Sequence, residues 1–276
     1  MIRRTRILLG LLLSSGISLV AYRRGSLSRS GIGGAIVTGT TTFGMGGWAW
    51  GLSLIFFFVS SSLFSHFREQ EKAETAADKF SKGSKRDIGQ VAANGGIATA
   101  LALGNGLVSS QKVRQLCLAG YTGALATATA DTWATELGVL SPHQPRLITT
   151  GKPVGPGTSG GMTLLGTGAG AVGALALGLV FWLLQRCPKS LASLPLIALF
   201  SGLSGSIVDS ILGATVQAMY YCPTCEKETE RYVHKCGTRT LPLRGIAWLN
   251  NDVVNFIATL SGALTAMGIA VWTRKK

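Results

Sequence analysis

The chain has 276 residues, of which 47% are hydrophobic and only 14% charged. Soluble domains carry about a quarter charged residues, so this balance excludes a separate soluble domain and indicates a multi-pass membrane protein built as one bundle. The formal charge of +14 is assigned to basic cytoplasmic loops, affinity for anionic lipid, or a phosphorylated substrate. Nucleic acid is set aside as a partner, because no basic-aromatic binding module is visible.

Long stretches, such as 91–107, 163–184 and 191–207, contain no Asp, Glu, Lys or Arg. A run of about 18 or more apolar residues is long enough to cross a bilayer. Residues 7–21 read as a first span, flanked by Arg3, Arg4 and Arg6 and then by Arg23, Arg24 and Arg29. Residues 31–48 form a second segment rich in Gly and Thr, expected in the interior because small residues let helices approach closely. Residues 48–64 form a third, with Trp48 and Trp50 expected at a membrane interface.

The first polar loop spans 66–90. Its early part mixes charges and reads as a solvated helix. Its later part sets Lys79, Lys82, Lys85 and Arg86 around Gly83 and Ser84. Such a cluster is either the positive-inside end of a loop or a grip for phosphate. The fourth span, 91–107, opens on Asn94-Gly95-Gly96, and the fifth covers 113–130.

The fifth span runs into Asp131, Thr132 and Glu136. Charge near the bilayer is costly and usually has a partner or a task. The two acids are five residues apart, so a regular helix splays them, and both are expected to face one site only if the helix ends or unwinds there. The second polar loop, 131–161, carries Lys152 and then Gly155-Pro156-Gly157-Thr158-Ser159-Gly160-Gly161. Proline excludes helix and glycine allows tight turns. The loop opens the sixth span at 162, so it is either an anion site at a helix N-terminus or a turn at the membrane surface. No Gly-Lys-Ser/Thr closes it, so it is not a Walker A loop. Gly166 and Gly170 follow as a packing pair.

The seventh span, 191–220, holds Asp209 in an otherwise apolar run. It is either functional or engaged in a hydrogen bond or ion pair inside the bundle. The third polar loop, 221–250, carries Cys222-x-x-Cys225 and His234-x-Cys236. These are candidate ligands of a structural Zn²⁺, or else free or disulfide-paired thiols. Cys117 and Cys187 read as small core residues. Asn250-Asn251-Asp252 opens the last span, and Asn251 and Asn255 share a face. Eight spans put the three loops on one basic, hence cytoplasmic, side; seven result if the second segment does not cross. The expectation is an all-α polytopic membrane helix bundle of seven to eight transmembrane helices, with 1–276 a single integral-membrane domain. No Ser/Arg-rich transit segment is evident, which favours a bacterial inner membrane over a plastid membrane.

Taken jointly, several motifs resemble one family: Gly-Gly-Trp-Ala-Trp-Gly at 46–51, residues 78–87 with Gly89-Gln90-Val91 and Asn94-Gly95-Gly96, and residues 130–138, 156–163, 205–217 and 250–255. It is the integral-membrane family that includes phytyl-phosphate kinase, long catalogued as a domain of unknown function, with animal transmembrane relatives. The resemblance implies phosphorylation of a prenyl monophosphate to its diphosphate by a nucleoside triphosphate, serving tocopherol and prenylquinone synthesis. A more distant likeness to phytol and dolichol kinases and phosphatidate cytidylyltransferases implies CTP. The Asp-Thr-x-Ala-x-x-x-Gly of 131–138, with Gly151-Lys152 and Gly157-Thr158-Ser159-Gly160, is similar to elements of those kinases.

Asp131, Thr132, Glu136 and Asp209 are then the expected catalytic group, with Asp131, Glu136 and Asp209 holding Mg²⁺. Lys79, Lys82, Ser84, Lys85, Arg86, Asn94, Lys152, Thr158, Ser159, Gly160, Asn251 and Asp252 are the expected phosphate and nucleotide contacts. Lipid phosphate and nucleoside triphosphate are the implied partners. The rival readings are a CTP-dependent prenyl-alcohol kinase or cytidylyltransferase, and a transporter whose buried acids form an ion path.

Overall fold

The computed structural model describes residues 3–76 and 83–273. Its organising element is α6 (Gln111–Gly138). Every position from 119 to 130 is buried, as expected of a helix surrounded on all sides. The sequence Ala-Gly-Tyr-Thr-Gly-Ala-Leu-Ala-Thr-Ala-Thr-Ala permits this, because small side chains let neighbouring backbones close in. Around it pack α3 (Trp48–His66), α5 (Ile88–Leu107), α7 (Leu164–Leu184), α8 (Leu194–Thr215) and α9 (Asn251–Thr273). Outside them, α1 (Arg3–Arg23) pairs with α2 (Arg29–Thr41), which runs into a π-helical turn at Thr42–Gly46 and leans on α5.

Among the described residues five helices, α1, α3, α7, α8 and α9, are long and apolar enough to cross a membrane. α5 and α6 have 20 and 28 residues, enough for a crossing, but are rich in small and polar residues. The 13-residue α2 is too short to cross alone. The eight expected segments are thus all helical, and five carry the hydropathy of a span. In the first polar loop, α4 (Glu69–Ala76) is the solvated helix that its mixed charge foretold.

Four expectations are corrected. The architecture is not purely helical: β1 (Arg146–Leu147) pairs with β2 (Gly161–Met162), and β3 (Met219–Cys222) lies between β4 (Lys227–Thr229) and β5 (Leu241–Arg244), all antiparallel. The seventh segment does not continue to 220. Val216 and Gln217 N–H close on Leu212 O, Ala218 N–H bonds Leu249 O, and a strand begins. Trp50 is buried rather than interfacial, its ring 4.3 Å from that of Tyr121 and 5.8 Å from Phe181. Cys187 is exposed in the turn after α7 with a φ of 54°, whereas Cys117 is buried as expected.

The Gly166–Gly170 pair does bring two helices together. A Cβ at Gly166 would fall 2.8 Å from Ala134 O, and one at Gly170 would fall 2.9 Å from Ala130 O. α7 therefore lies directly against the part of α6 that carries Asp131.

Candidate functional site

Where α6 leaves its collar of helices, its side chains open into a cavity of about 440 Å³. Asp131 is the first residue past the fully buried stretch. Ser206 of α8 donates to its Oδ1 at 3.4 Å. Asp209 lies one turn further along α8, on the same face as Ser206. Its charged neighbours are Asp131 and Glu230. Asp209 Oδ2 is buried and has no hydrogen-bond partner among the described residues. A carboxylate oxygen in that state, beside a second carboxylate, is strongly unfavourable without a cation. The oxygen-rich donor set of Asp131 and Asp209 suits a hard divalent ion such as Mg²⁺.

The condition that the two acids share one site only if the helix ends or unwinds at Asp131 is corrected. α6 stays helical to Gly138, and the splay that follows sends Asp131 toward α8 and Glu136 toward α3 and α4. Both still line the cavity because it is wide enough to reach both faces. Lys72 of α4 forms an ion pair with Glu136 and also donates to Phe64 O and Ser65 O, the last carbonyls of α3. Ser65 Oγ donates to Glu136 at 2.7 Å. Arg86 donates to Ser62 Oγ at 2.8 Å and lies over the Phe58 ring. Burial pulls the Arg86 guanidinium down to about 10, against the pull of Glu136, so it stays charged at neutral pH. Its backbone is pinned on both sides, N–H to Ser26 O and O to Ser28 N–H.

Lys72→Met removes the ion-pair partner of Glu136 and leaves it only the pull of Arg86. Both side chains of the pair are largely buried, at 11% and 24% exposure, so the expected loss lies between surface and buried pairs, about 1–3 kcal/mol. Thermal unfolding in detergent measures it. Glu136→Gln in the Lys72→Met background is expected to recover part of the loss.

A third wall comes from the loop ahead of α7. Gly160 has a φ of 80°, and a Cβ there would fall 2.6 Å from Ser210 O, so the loop is pressed on α8. Two of its N–H groups are spent within it, Thr158 on Gly155 O and Gly161 on Thr158 O. Thr163 caps α7 by accepting from Gly166 N–H at 2.9 Å. Gln217, only 2% exposed, donates to Glu230 at 2.8 Å and to Ser159 Oγ at 3.4 Å. It joins the end of α8, the loop and the segment after β4.

Beside this wall, Cys222, Cys225, His234 and Cys236 present ligand atoms that all lie within 4.8 Å of one another, a cluster able to hold a metal ion such as zinc. Contact with Thr238, then with His234, brings the Cys236 thiol down to about 6, and its bond with Cys236, then burial, lifts Cys225 to about 11.

The model of the integral membrane protein family DUF92 matches residues 12–263. The chain belongs to the DUF92 family. Among its relatives, Protein PGR of Arabidopsis thaliana is 36% identical over 275 residues, covering 92% of this chain and 93% of that protein. Protein VTE6, chloroplastic, also of Arabidopsis thaliana, is 31% identical over 244 residues, covering 87% of this chain and 64% of that protein. An uncharacterized membrane protein of Methanocaldococcus jannaschii is 28% identical over 267 residues, covering 97% and 94%. No solved structure matches. The DUF92 protein is thus a homologue of PGR and VTE6 and a multi-pass integral membrane protein.

Of the residues singled out in the sequence, the DUF92 cavity gathers Asp131, Thr132, Glu136, Asp209, Ser84, Arg86, Asn94, Thr158, Ser159, Gly160 and Asn251. Thr132 Oγ is turned back onto Ala128 O. Lys85, Lys152 and Asp252 are not in the lining, and Lys79 and Lys82 lie outside the described residues. Lys72, Gln217, Glu230, Arg231 and Lys235 line the cavity but were not singled out. Along the described lining the acids outnumber Lys and Arg, in a chain whose formal charge is +14.

Proposed function

We propose that this DUF92 protein is a membrane phosphotransferase that moves the terminal phosphoryl group of a nucleoside triphosphate, CTP or ATP, to a prenyl monophosphate of the phytyl type, giving the diphosphate. The observation that carries this reading is the Asp131–Asp209 pair, sunk in a highly basic protein at the end of a membrane bundle, with Asp209 Oδ2 unpartnered among the described residues. Phosphate alone would be repelled by that floor; a phosphate–divalent ion complex would not be. The family resemblance supports the acceptor, as does the cavity's flank: Leu203 and Ile207 of α8 line it, and Ile207 is 43% exposed. A polyisoprenoid tail could pass there while its phosphate stays in the polar end.

In this reading Asp131 and Asp209 would hold Mg²⁺, and the ion would supply charge neutralisation at the transferred group. Arg86, Arg231 and Lys235 counter the remaining phosphate charge, and Ser84, Asn94, Ser159 and Asn251 donate hydrogen bonds that orient it. An acceptor phosphate oxygen attacks the terminal phosphorus as the bond to its bridging oxygen breaks, leaving nucleoside diphosphate. The acceptor is already an anion, so no strong general base is needed. Glu136, engaged by Lys72 and Ser65, serves in this state to hold the cationic wall. The reading puts the cavity on the cytoplasmic side, where nucleotide is available.

The test is transfer from labelled CTP or ATP with Mg²⁺ by purified protein, offered geranylgeranyl and phytyl monophosphates alongside the free alcohols. Diphosphate formed from the monophosphates is the expected product. Monophosphate formed from the alcohols would instead select the alcohol-kinase reading. No transfer to either would end the phosphotransferase reading.

A further inference from the structure

We propose that Cys222, Cys225, His234 and Cys236 bind one Zn²⁺ that acts as a clamp on the wall of the cavity, fixing the segment that carries Glu230, Arg231 and Lys235. The ligand geometry supports it. Tetrahedral zinc with bonds of about 2.0–2.3 Å requires ligand atoms about 3.3–3.8 Å apart. Cys222 Sγ lies 3.6 Å from Cys236 Sγ, inside that range, and His234 Nδ1 lies 3.2 Å from Cys236 Sγ, just below it; all four ligand atoms lie within 4.8 Å of one another, so shifts of about an ångström close the set on one ion. Four protein ligands fill the tetrahedron, so the ion is structural. Each thiol binds as its thiolate and gives up its proton to solvent.

The local chain is shaped for two metal knuckles. The residue after Cys225 is Glu226, held at a φ of 53°, and the residue after Cys236 is Gly237, at 87°. A left-handed turn at Glu226 is unfavourable for a residue with a Cβ, so something beyond the local sequence must hold it. The two turns meet through Thr224 and Thr238, whose hydroxyls are 2.9 Å apart. The strands of this region are three or four residues long, too short to be stable alone, and while β3 is mostly buried, β5 is exposed or half-buried throughout.

The link to the cavity is covalent and short. Lys235 stands between two ligands, His234 and Cys236, and lines the cavity. Glu230 and Arg231, also in the lining, follow β4, which pairs with the strand that ends on Cys222. The metal site rests on ligand geometry alone; only its consequence for phosphate binding rests on the proposed function.

The test uses the full chain, purified in detergent without chelator. One zinc per chain by elemental mass spectrometry is expected, falling at least tenfold in the Cys225→Ser/Cys236→Ser variant. Stripping the wild-type protein with a chelator is expected to speed amide hydrogen exchange across 227–244 at least tenfold, and added Zn²⁺ is expected to reverse it. If transfer activity is present, stripping is also expected to raise KM for the phosphate substrates more than it lowers kcat. A chain with less than a tenth of an equivalent of zinc after incubation with Zn²⁺, or a disulfide within the cluster, overturns the site. Bound zinc whose removal leaves exchange unchanged overturns the clamp. Absence of transfer activity alongside the expected metal and exchange results would sink the proposed function and leave the site standing.

Discussion

Asp131→Asn and Asp209→Asn are each expected to lower kcat/KM for phosphoryl transfer by about 10²–10³-fold, the size of effect seen when one preorganised charge-stabilising group is removed. The substitutions are nearly isosteric, and each removes one of two acids that act on one another across the cavity floor. Folding is therefore expected to be unchanged or slightly improved, because like charges in a poorly solvated site oppose the native state. This opposite movement of activity and stability separates a site residue from a structural one. Steady-state transfer assays and thermal unfolding in the same detergent read the two quantities. A higher Mg²⁺ requirement in either variant would tie the acid to the ion. A loss below about threefold with unchanged Mg²⁺ dependence would remove both acids from the mechanism, since losing an ion-holding charge costs far more.

Gly123→Ala is expected to destabilise the fold strongly. A Cβ there would fall 2.3 Å from Gly262 O and 2.6 Å from the Ala266 side chain. The first obstacle is backbone of α9, which cannot rotate away, so α6 and α9 must separate. Inside lipid, packing contact is the main force holding helices together. Overpacking a tight core costs about 1–3 kcal/mol, and backbone displacement puts this case at or above the upper end. Gly268→Ala on α9 is the control. Nothing lies within 4 Å of its Cβ position, so the better helix former is expected to be neutral or to gain up to about 1 kcal/mol. The yield of monodisperse protein and its melting temperature would show the contrast. Equal behaviour of the two variants would mean that α6 and α9 do not meet as described.

The elements written locally in the sequence were the legible ones. Charge-free runs marked helices, mixed charge marked α4, and Gly166 and Gly170 marked a close crossing, because each depends on neighbours a few residues away. Asp131 and Asp209 stood out because an acid in an apolar run has few alternatives. What escaped was set by distance along the chain. Lys72 belongs to the site through an ion pair with Glu136, 64 residues away, and within its own mixed-charge stretch nothing separates it from a solvated lysine. Gln217 and Glu230 matter through each other and Ser159, a relation absent from any local motif. The spacing of Asp131 and Glu136 demands a break in the helix only for a narrow site, and the width of the cavity is not written in that spacing. The cavity supplies the polar surroundings that the acid needs, so the helix has no reason to stop. The cysteine spacing, with one residue between His234 and Cys236, gave little guidance until the fold brought the two halves together.

The burial of α6 over residues 119–130 constrains how a substrate cycle can work. Asp131 is mounted on the part of the molecule least able to shift, since displacing it means prying apart several helices at once. The segments that bear Arg86, Arg231 and Lys235 are short connections held by individual hydrogen bonds, and by the metal where it binds, not by a ring of helices. If the cavity admits a phosphate substrate as proposed, any movement that opens it falls to these connections. Protein carrying the metal should then open more slowly than protein stripped of it.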